Sequence, residues 1–459
     1  MRLLKGDSKT IPTLSVNDHE ITSDSEKVEV LSEHFVKSFN NSQPPLSPVD
    51  VQSIEVDPNS CPEQLLCTEE EVLFLLTSLD VTKASGPDGI SARMLKATAA
   101  AITPVVTKLF NLSISTGSFP QAAKSSVIVP VPKSTDYTLP SNYRPISLLA
   151  ILSKVLEKYI CSLVMEELQL SGHSAFHQWG FRSGHSTSSA LTTIIDDWLK
   201  SMELGKSVCS VFLDVRKAFD SVPHTILVNK LQSHGLNVYL LRWICDYLSD
   251  REQCVVLNGV TSRPQPVPSG VPQGSVLGPF LFTLYINDLA DLQLSEGSKL
   301  VAYADDLLLY KPVDSNADYS RVQEDLTTID HWMSRNSLTL NTAKCKQMVI
   351  TRSRTHQYLQ LYLASQQLEC VKSYKYLWVI ITSNLSWSEQ IQSICNKSRK
   401  LTLLPVLPEC RLGNPPSILP VIIQTTCILN MHAQCGTLTW QKREPFWRHC
   451  AKVCLQSML

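Results

Sequence analysis

The chain has 459 residues, 43% of them apolar and 18% charged, an ordinary globular composition that is long enough for two or three cores. A formal net charge of −1 argues against a uniformly basic nucleic-acid binder, and no apolar run approaches the ~18 residues of a membrane span, so a soluble chain is expected. Fourteen cysteines without a C-x-x-C pair, and no charged-then-apolar leader, point to reduced thiols and an intracellular setting, nucleus or cytoplasm, rather than a secreted disulfide scaffold.

In chain order, Met1 to about Pro62 reads as a lead-in, with one amphipathic helix over Glu26–Phe39 and a Pro/Ser-rich linker over Ser42–Pro48. Thr68-Glu69-Glu70-Glu71 is a capping-box start for a helix to about Leu79. Ser91–Leu112 is apolar at helical spacing, interrupted at Pro104. Val127-Ile128-Val129-Pro130-Val131-Pro132-Lys133 predicts an edge strand, because its prolines cannot serve a central one. Helices are expected near Ser186–Met202 and Thr225–Leu231. Between them the β-rich run Val208–Leu213 ends on Asp214, with Asp220 six residues on.

Pro268–Pro279 then packs three glycines and three prolines ahead of the apolar, helix-compatible run Phe280–Ile286. Such a loop suits either a close backbone approach to an anionic ligand at a helix N-terminus, or simply a rigid turn and a capped helix. Further on, Asp305 and Asp306 are set between Leu300-Val301-Ala302 and Leu307-Leu308-Leu309-Tyr310, which places two carboxylates at a hairpin turn. Adjacent acids there must be solvated or neutralised by cations. With Asp214 they make three carboxylates from two strands, the set that suits two-metal phosphoryl or nucleotidyl transfer. Residues 321–400 carry eleven Lys/Arg against five acids, a local net of +6 that offsets the global balance. Alternating helices and strands around a mainly antiparallel sheet give an α+β architecture. The patch Cys427, His432, Cys435, His449, Cys450 and Cys454 fits no zinc-finger spacing.

Asp214 with Ala218-Phe219-Asp220, then Gly270-Val271-Pro272-Gln273-Gly274-Ser275, then Tyr303-Ala304-Asp305-Asp306, resembles motifs A, B and C of the reverse transcriptase palm. Ser85–Ile90, Asn142–Leu148 and Gly180–Thr187 resemble the extra blocks of non-LTR retrotransposon polymerases of the jockey and chicken-repeat type. Leu340–Lys344 resembles motif D and Tyr374–Leu377 the primer grip, so the resemblance covers roughly residues 1–400.

The resemblance implies the fingers and palm of a right-hand polymerase. It divides the chain into a lead-in (1–67), an N-terminal extension with fingers (68–205), a palm with primer grip (206–381) and a degenerate thumb (382–459), the reverse transcriptase domain overall spanning about 113–381. It implies two Mg²⁺ ions, with Mn²⁺ as an alternative, held by Asp214, Asp305 and the Val215 carbonyl, with Asp306 at the periphery. Lys133 and Arg144 match residues that meet the incoming triphosphate, Phe219 the gate that selects deoxynucleotides, Gln273 and Gly274 residues near the sugar and templating base, and Lys344 a proton donor to pyrophosphate. The implied partners are an RNA template, a DNA primer and deoxynucleoside triphosphates.

Two departures from the family pattern stand out. Where Tyr-Leu-Gly is general in the primer grip, this chain reads Tyr376-Leu377-Trp378. Beyond about Leu401 the similarity stops; the codons possible for Leu404–Leu412 and Leu429–Leu438, read in shifted frames, can spell family-like thumb sequence. An out-of-frame tail over residues 402–459 is therefore expected to be poorly ordered. The expected function is an RNA-directed DNA polymerase. The alternative is a non-catalytic remnant that keeps a palm-like fold and binds RNA or protein, and an endonuclease on the same acids would leave Lys133, Arg144, Phe219 and Gln273 without purpose.

Overall fold

The computed structural model describes residues 11–17, 19–39, 46, 53–133, 136–170, 180, 186–353 and 359–402. The expected disordered tail, the Cys/His patch within it and most of the Gly180–Thr187 block lie outside the described residues. Strands are numbered along the chain: β1 (Leu14–Val16), β2 (His19–Ile21), β3 (Ser125–Pro132), β4 (Tyr143–Leu148), β5 (Ser207–Asp214) and β6 (Glu252–Leu257). There follow β7 (Val260–Thr261), β8 (Gln265–Pro266), β9 (Lys299–Tyr303), β10 (Asp306–Val313) and β11 (Lys346–Ile350). Short pieces close the series: β12 (Tyr362–Leu363), β13 (Gln366–Gln367), β14 (Glu369–Cys370), β15 (Ser373–Tyr376) and β16 (Val379–Thr382).

The chain divides into two units. The first comprises Met1–Phe176, Arg216–Asp288 and Ser334–Leu338. Its sheet runs β4-β3-β6-β7, with β8 also on β6. The strand expected at an edge, β3, is internal: it pairs antiparallel with β4 and parallel with β6. The prolines are tolerated because the β6 ladder covers only Ser125–Ile128, leaving Pro130 and Pro132 where β4 is the sole partner.

The lead-in is more than one helix and a linker. Its β1–β2 hairpin and the helix Asp24–Val36 supply Leu14, Val28, Leu31 and Phe35 to one apolar cluster with Ile128, Tyr143 and Val255 of the sheet. The capping box of Thr68 and Glu71 opens the helix Glu69–Thr77. The expected break at Pro104 does not occur; after a short helix over Ala92–Ala97, the helix Ala99–Thr116 runs through it.

The second unit comprises His177–Val215, Leu289–Met333 and Thr339–Leu459. Its sheet runs β14-β11-β5-β10-β9, antiparallel except between β11 and β14. Central β5 is buried at every position from Ser207 to Leu213, which is why only apolar residues and small Ser and Cys occur there and no charged residue alternates with them. One face is covered by the helix Thr187–Glu203, whose Leu191, Ile194, Trp198 and Met202 meet Phe212, Leu308 and Met348. Asp197 on that helix accepts from Lys299 Nζ and Tyr310 Oη, both at 2.7 Å, locking it to β9 and β10. This is the expected α+β arrangement of a mainly antiparallel sheet with packed helices, with β5 and β10 carrying the acids.

Trp198 is fully buried at the centre of this cluster. Trp198→Ala is expected to cost about 3–5 kcal/mol, read as a lowered urea midpoint.

Candidate active site

Within the second unit, β9 and β10 join through a two-residue turn, Ala304-Asp305, since Tyr303 registers with Asp306. Ala304 has φ 55°, the left-handed value that the first central position of a type II′ turn demands. Asp306 heads β10 and registers directly opposite Asp214, the last residue of β5. Directly opposed residues of an antiparallel ladder project to one face. The register therefore pairs Asp214 with Asp306, the residue expected at the periphery, and sets Asp305 in the adjoining turn.

Burial and like charge together bear on Asp306. Although exposed in area, it is hemmed in by protein atoms, and this loss of water, followed by the charges of Asp305 and Asp214, pushes its pKa up to about 6; Lys344 opposes the shift. Lys344 Nζ stands 3.3 Å from Asp214 Oδ2. Asp214 is further fixed through its backbone: its N–H donates to Cys345 Sγ at 3.4 Å, and its carbonyl accepts from Asn341 N at 2.8 Å. Val215 forms an isolated bridge to Leu340. The segment 340–345 is thus moulded around the end of β5.

Beside the same strand, Tyr374 stacks on Phe212 at 4.2 Å between centroids and Tyr376 tilts against it at 5.4 Å. Burial, then the charges of Asp214 and Asp306, push the Tyr374 phenol up to about 12. The β15–β16 turn is Leu377-Trp378, with φ 46° and 71°. Both are left-handed, which costs a non-glycine residue roughly 1–2 kcal/mol. Leu377 is buried, whereas Trp378 is 76% exposed.

The other expected residues belong to the first unit. Arg144 is an exposed position of β4, opposite Val131, and Lys133 lies just beyond β3, donating from Nζ to Ser141 O at 3.1 Å. Phe219 is half-buried, its ring 4.7 Å from that of Phe282. The loop Ser269–Gly274 is zipped to 219–222: Gly270 N donates to Val222 O at 2.8 Å, Val271 N to Phe219 O at 2.7 Å and Gln273 Nε2 to Asp220 Oδ1 at 2.7 Å. On its opposite side the loop accepts, with Ser147 N of β4 donating to Gln273 O at 2.8 Å.

Three residues with no assigned role hold this loop. Asp220 anchors Gln273, and burial pushes its pKa up to about 6 against the pull of Gln273, Lys217 and Lys133. His224, held neutral by burial with its pKa down at about 4, donates through Nε2 to Gly270 O at 2.7 Å. Fully buried Glu157 accepts from Val276 N and Leu277 N at 2.7 and 3.1 Å. The helix N-terminus that the sequence offered to a ligand anion is therefore capped by the chain's own carboxylate. Asp220 follows Phe219 in the motif A block and could have been flagged; Glu157 and His224 lie 113 or fewer residues from Gly270 with no local pattern to mark them.

A family model described as reverse transcriptase (RNA-dependent DNA polymerase) matches residues 131–381. The chain belongs to the reverse transcriptase family. Among its relatives are the RNA-directed DNA polymerase from mobile element jockey of Drosophila melanogaster, 30% identical over 71% of this chain and 36% of the relative, and the probable RNA-directed DNA polymerase from transposon X-element of the same fly, 27% identical over 85% and 44%. The chain spans less than half the length of these curated relatives. A solved structure of apo telomerase from Candida tropicalis aligns at TM-score 0.39 and 12% identity over 66% of this chain and 62% of the telomerase.

Reverse transcriptases generally use divalent metal ions. Among the described residues no three His, Cys, Asp or Glu side chains form a ready metal cluster, and a lysine ammonium is the cation at Asp214. The donors nevertheless fit such ions in kind: hard carboxylate oxygens whose mutual repulsion, visible at Asp306, a divalent cation would relieve.

Two expectations follow for this reverse transcriptase's loop. A Cβ at Gly274, where φ is 111°, would sit 2.6 Å from Ser147 O, so Gly274→Ala is expected to lose at least about 2 kcal/mol in a denaturant titration. Asp220 is an acid with a raised pKa, so the folded state holds its proton more tightly and the group's contribution to stability falls as pH rises from about 4 through about 6. Asp220→Asn keeps an acceptor for Gln273; its melting temperature should exceed the parent's at pH 7.5, with the gap closing towards pH 4.

Proposed function

We propose that this chain is an RNA-directed DNA polymerase, extending a primer 3′-OH on an RNA template with deoxynucleoside triphosphates. The observation that carries the reading is the register that sets Asp214 against Asp306 with Asp305 in the adjoining turn. In this reading the carboxylates of Asp214, Asp305 and Asp306 and the carbonyl of Val215 would hold two Mg²⁺ ions, or Mn²⁺. Such ions activate the attacking hydroxyl and stabilise the departing oxygen.

The chain's own groups do the rest. Lys133 and Arg144 would bind the triphosphate as charge-assisted donors, a guanidinium being suited to two phosphate oxygens at once. Phe219, backed by Phe282, would exclude a ribose 2′-OH by bulk. Gln273 and Gly274 would present a fixed loop surface to the sugar and templating base, rigid because Asp220, Ser147, His224 and Glu157 hold that loop. Lys344 would pass a proton to the pyrophosphate. The reaction would take place within the cell, in nucleus or cytoplasm, where template RNA and a nicked DNA target occur.

A second reading, a non-catalytic remnant that binds RNA or protein, is favoured by one observation, the left-handed Trp378 in the primer-grip turn. Primer extension on poly(rA)/oligo(dT) with Mg²⁺ separates the two. The parent chain is expected to incorporate dTTP, and Asp214→Ala and Asp305→Ala to reduce incorporation by on the order of a hundredfold or more. No incorporation by the parent selects the remnant; equal incorporation by parent and variants ends the carboxylate mechanism.

A further inference from the structure

The β15–β16 hairpin has two unlike sides. Inward, Tyr374 and Tyr376 press on Phe212, two residues below Asp214 on β5. Outward, Lys372, Lys375 and Trp378 are exposed in sequence at every third position. Lys375 Nζ lies 4.5 Å from the centroid of the Trp378 ring, which is 76% exposed at the hairpin tip.

This is a poor place for a tryptophan on grounds of folding alone. Its backbone stands at φ 71°, where glycine is favoured, and the indole contributes almost nothing to the core cluster that takes in its neighbours Tyr376 and Leu377. A largely exposed indole with an ammonium over one face has the two features that hold a nucleotide unit: a ring on whose other face any base can stack, and a cation for the adjoining phosphate. An apolar protein partner would be served by the ring but not by the row of lysines.

We propose that Trp378 and Lys375 form a stacking platform for a base of the bound nucleic-acid strand, so that the residue replacing the family's glycine adds a contact. The proposal rests on the reading of the chain as a nucleic-acid polymerase only in supposing that a strand passes the hairpin. Its chemistry is shared by RNA and DNA.

The test is fluorescence anisotropy of the full chain with labelled single-stranded RNA, single-stranded DNA and a recessed DNA/RNA hybrid, in EDTA so that no synthesis occurs. Trp378→Gly suits the left-handed turn, so loss of fold does not confound it. It is expected to weaken binding roughly tenfold, and Trp378→Phe to retain most of the affinity. Lys375→Gln should lower the slope of log affinity against log salt by about one. A loss seen with only one of the three ligands identifies the strand that stacks. The proposal is overturned if the parent binds none of them, if Trp378→Gly binds as tightly as the parent, or if Trp378→Phe loses as much as Trp378→Gly. Should the parent incorporate no nucleotide while Trp378→Gly still weakens binding, the polymerase reading fails and the platform stands; an active parent with an unaffected Trp378→Gly variant gives the converse.

Discussion

Repulsion between carboxylates is the constraint around which the second unit is built. Antiparallel pairing of β5 with β10 forces Asp214 and Asp306 to face each other, and the tight turn from β9 sets Asp305 next to Asp306. A protein gains nothing in stability from such an arrangement. It is tolerated because the acids sit at the end of a strand that is buried along seven successive residues, so the cost is borne by a core large enough to absorb it. Lys344 and the moulding of 340–345 around the strand end are the local response: one ammonium at one carboxylate, with backbone bonds that stop the strand from fraying.

The first unit meets a different demand, which is to hold a glycine-rich loop in one conformation. Each side of the loop has its own buried partner: a carboxylate at Gln273, a neutral imidazole at Gly270 and a second carboxylate at the start of the helix Leu277–Tyr285. Burial raises the energy of the charged forms of all three partners, yet each is satisfied by a directed hydrogen bond. Glu157 thus takes up the first N–H groups of that helix, which are no longer open to an outside anion.

Much of this was legible in the sequence where the code is local. The hairpin turn at Asp305, the Asp214 strand end, the Thr68 cap and the helix over Thr187–Glu203 follow from runs of a few residues, and the ordered motif blocks pointed to the family that the comparison established. What could not be read was set by pairings far apart in the chain. β3 looked like an edge because its prolines are visible and its partner β6, more than a hundred residues later, is not. The lead-in looked like a tether because nothing in it announces that Leu31 and Phe35 will meet Val255. The residue that faces Asp214 could not be read either, because the register depends on where the turn closes, and it sets Asp306 opposite Asp214.

The parallel pairing of β3 with β6 also has a consequence for synthesis on the ribosome. Ser125–Ile128 emerges long before Glu252–Val255, and at about 5–20 residues per second the delay is roughly 6–25 s. Throughout that interval a β-branched apolar segment lacks one of its two ladders and offers a bare edge to other nascent chains. Pro130 and Pro132, beyond the reach of the β6 ladder, carry no N–H to offer along that edge, which limits how far an intermolecular ladder could extend.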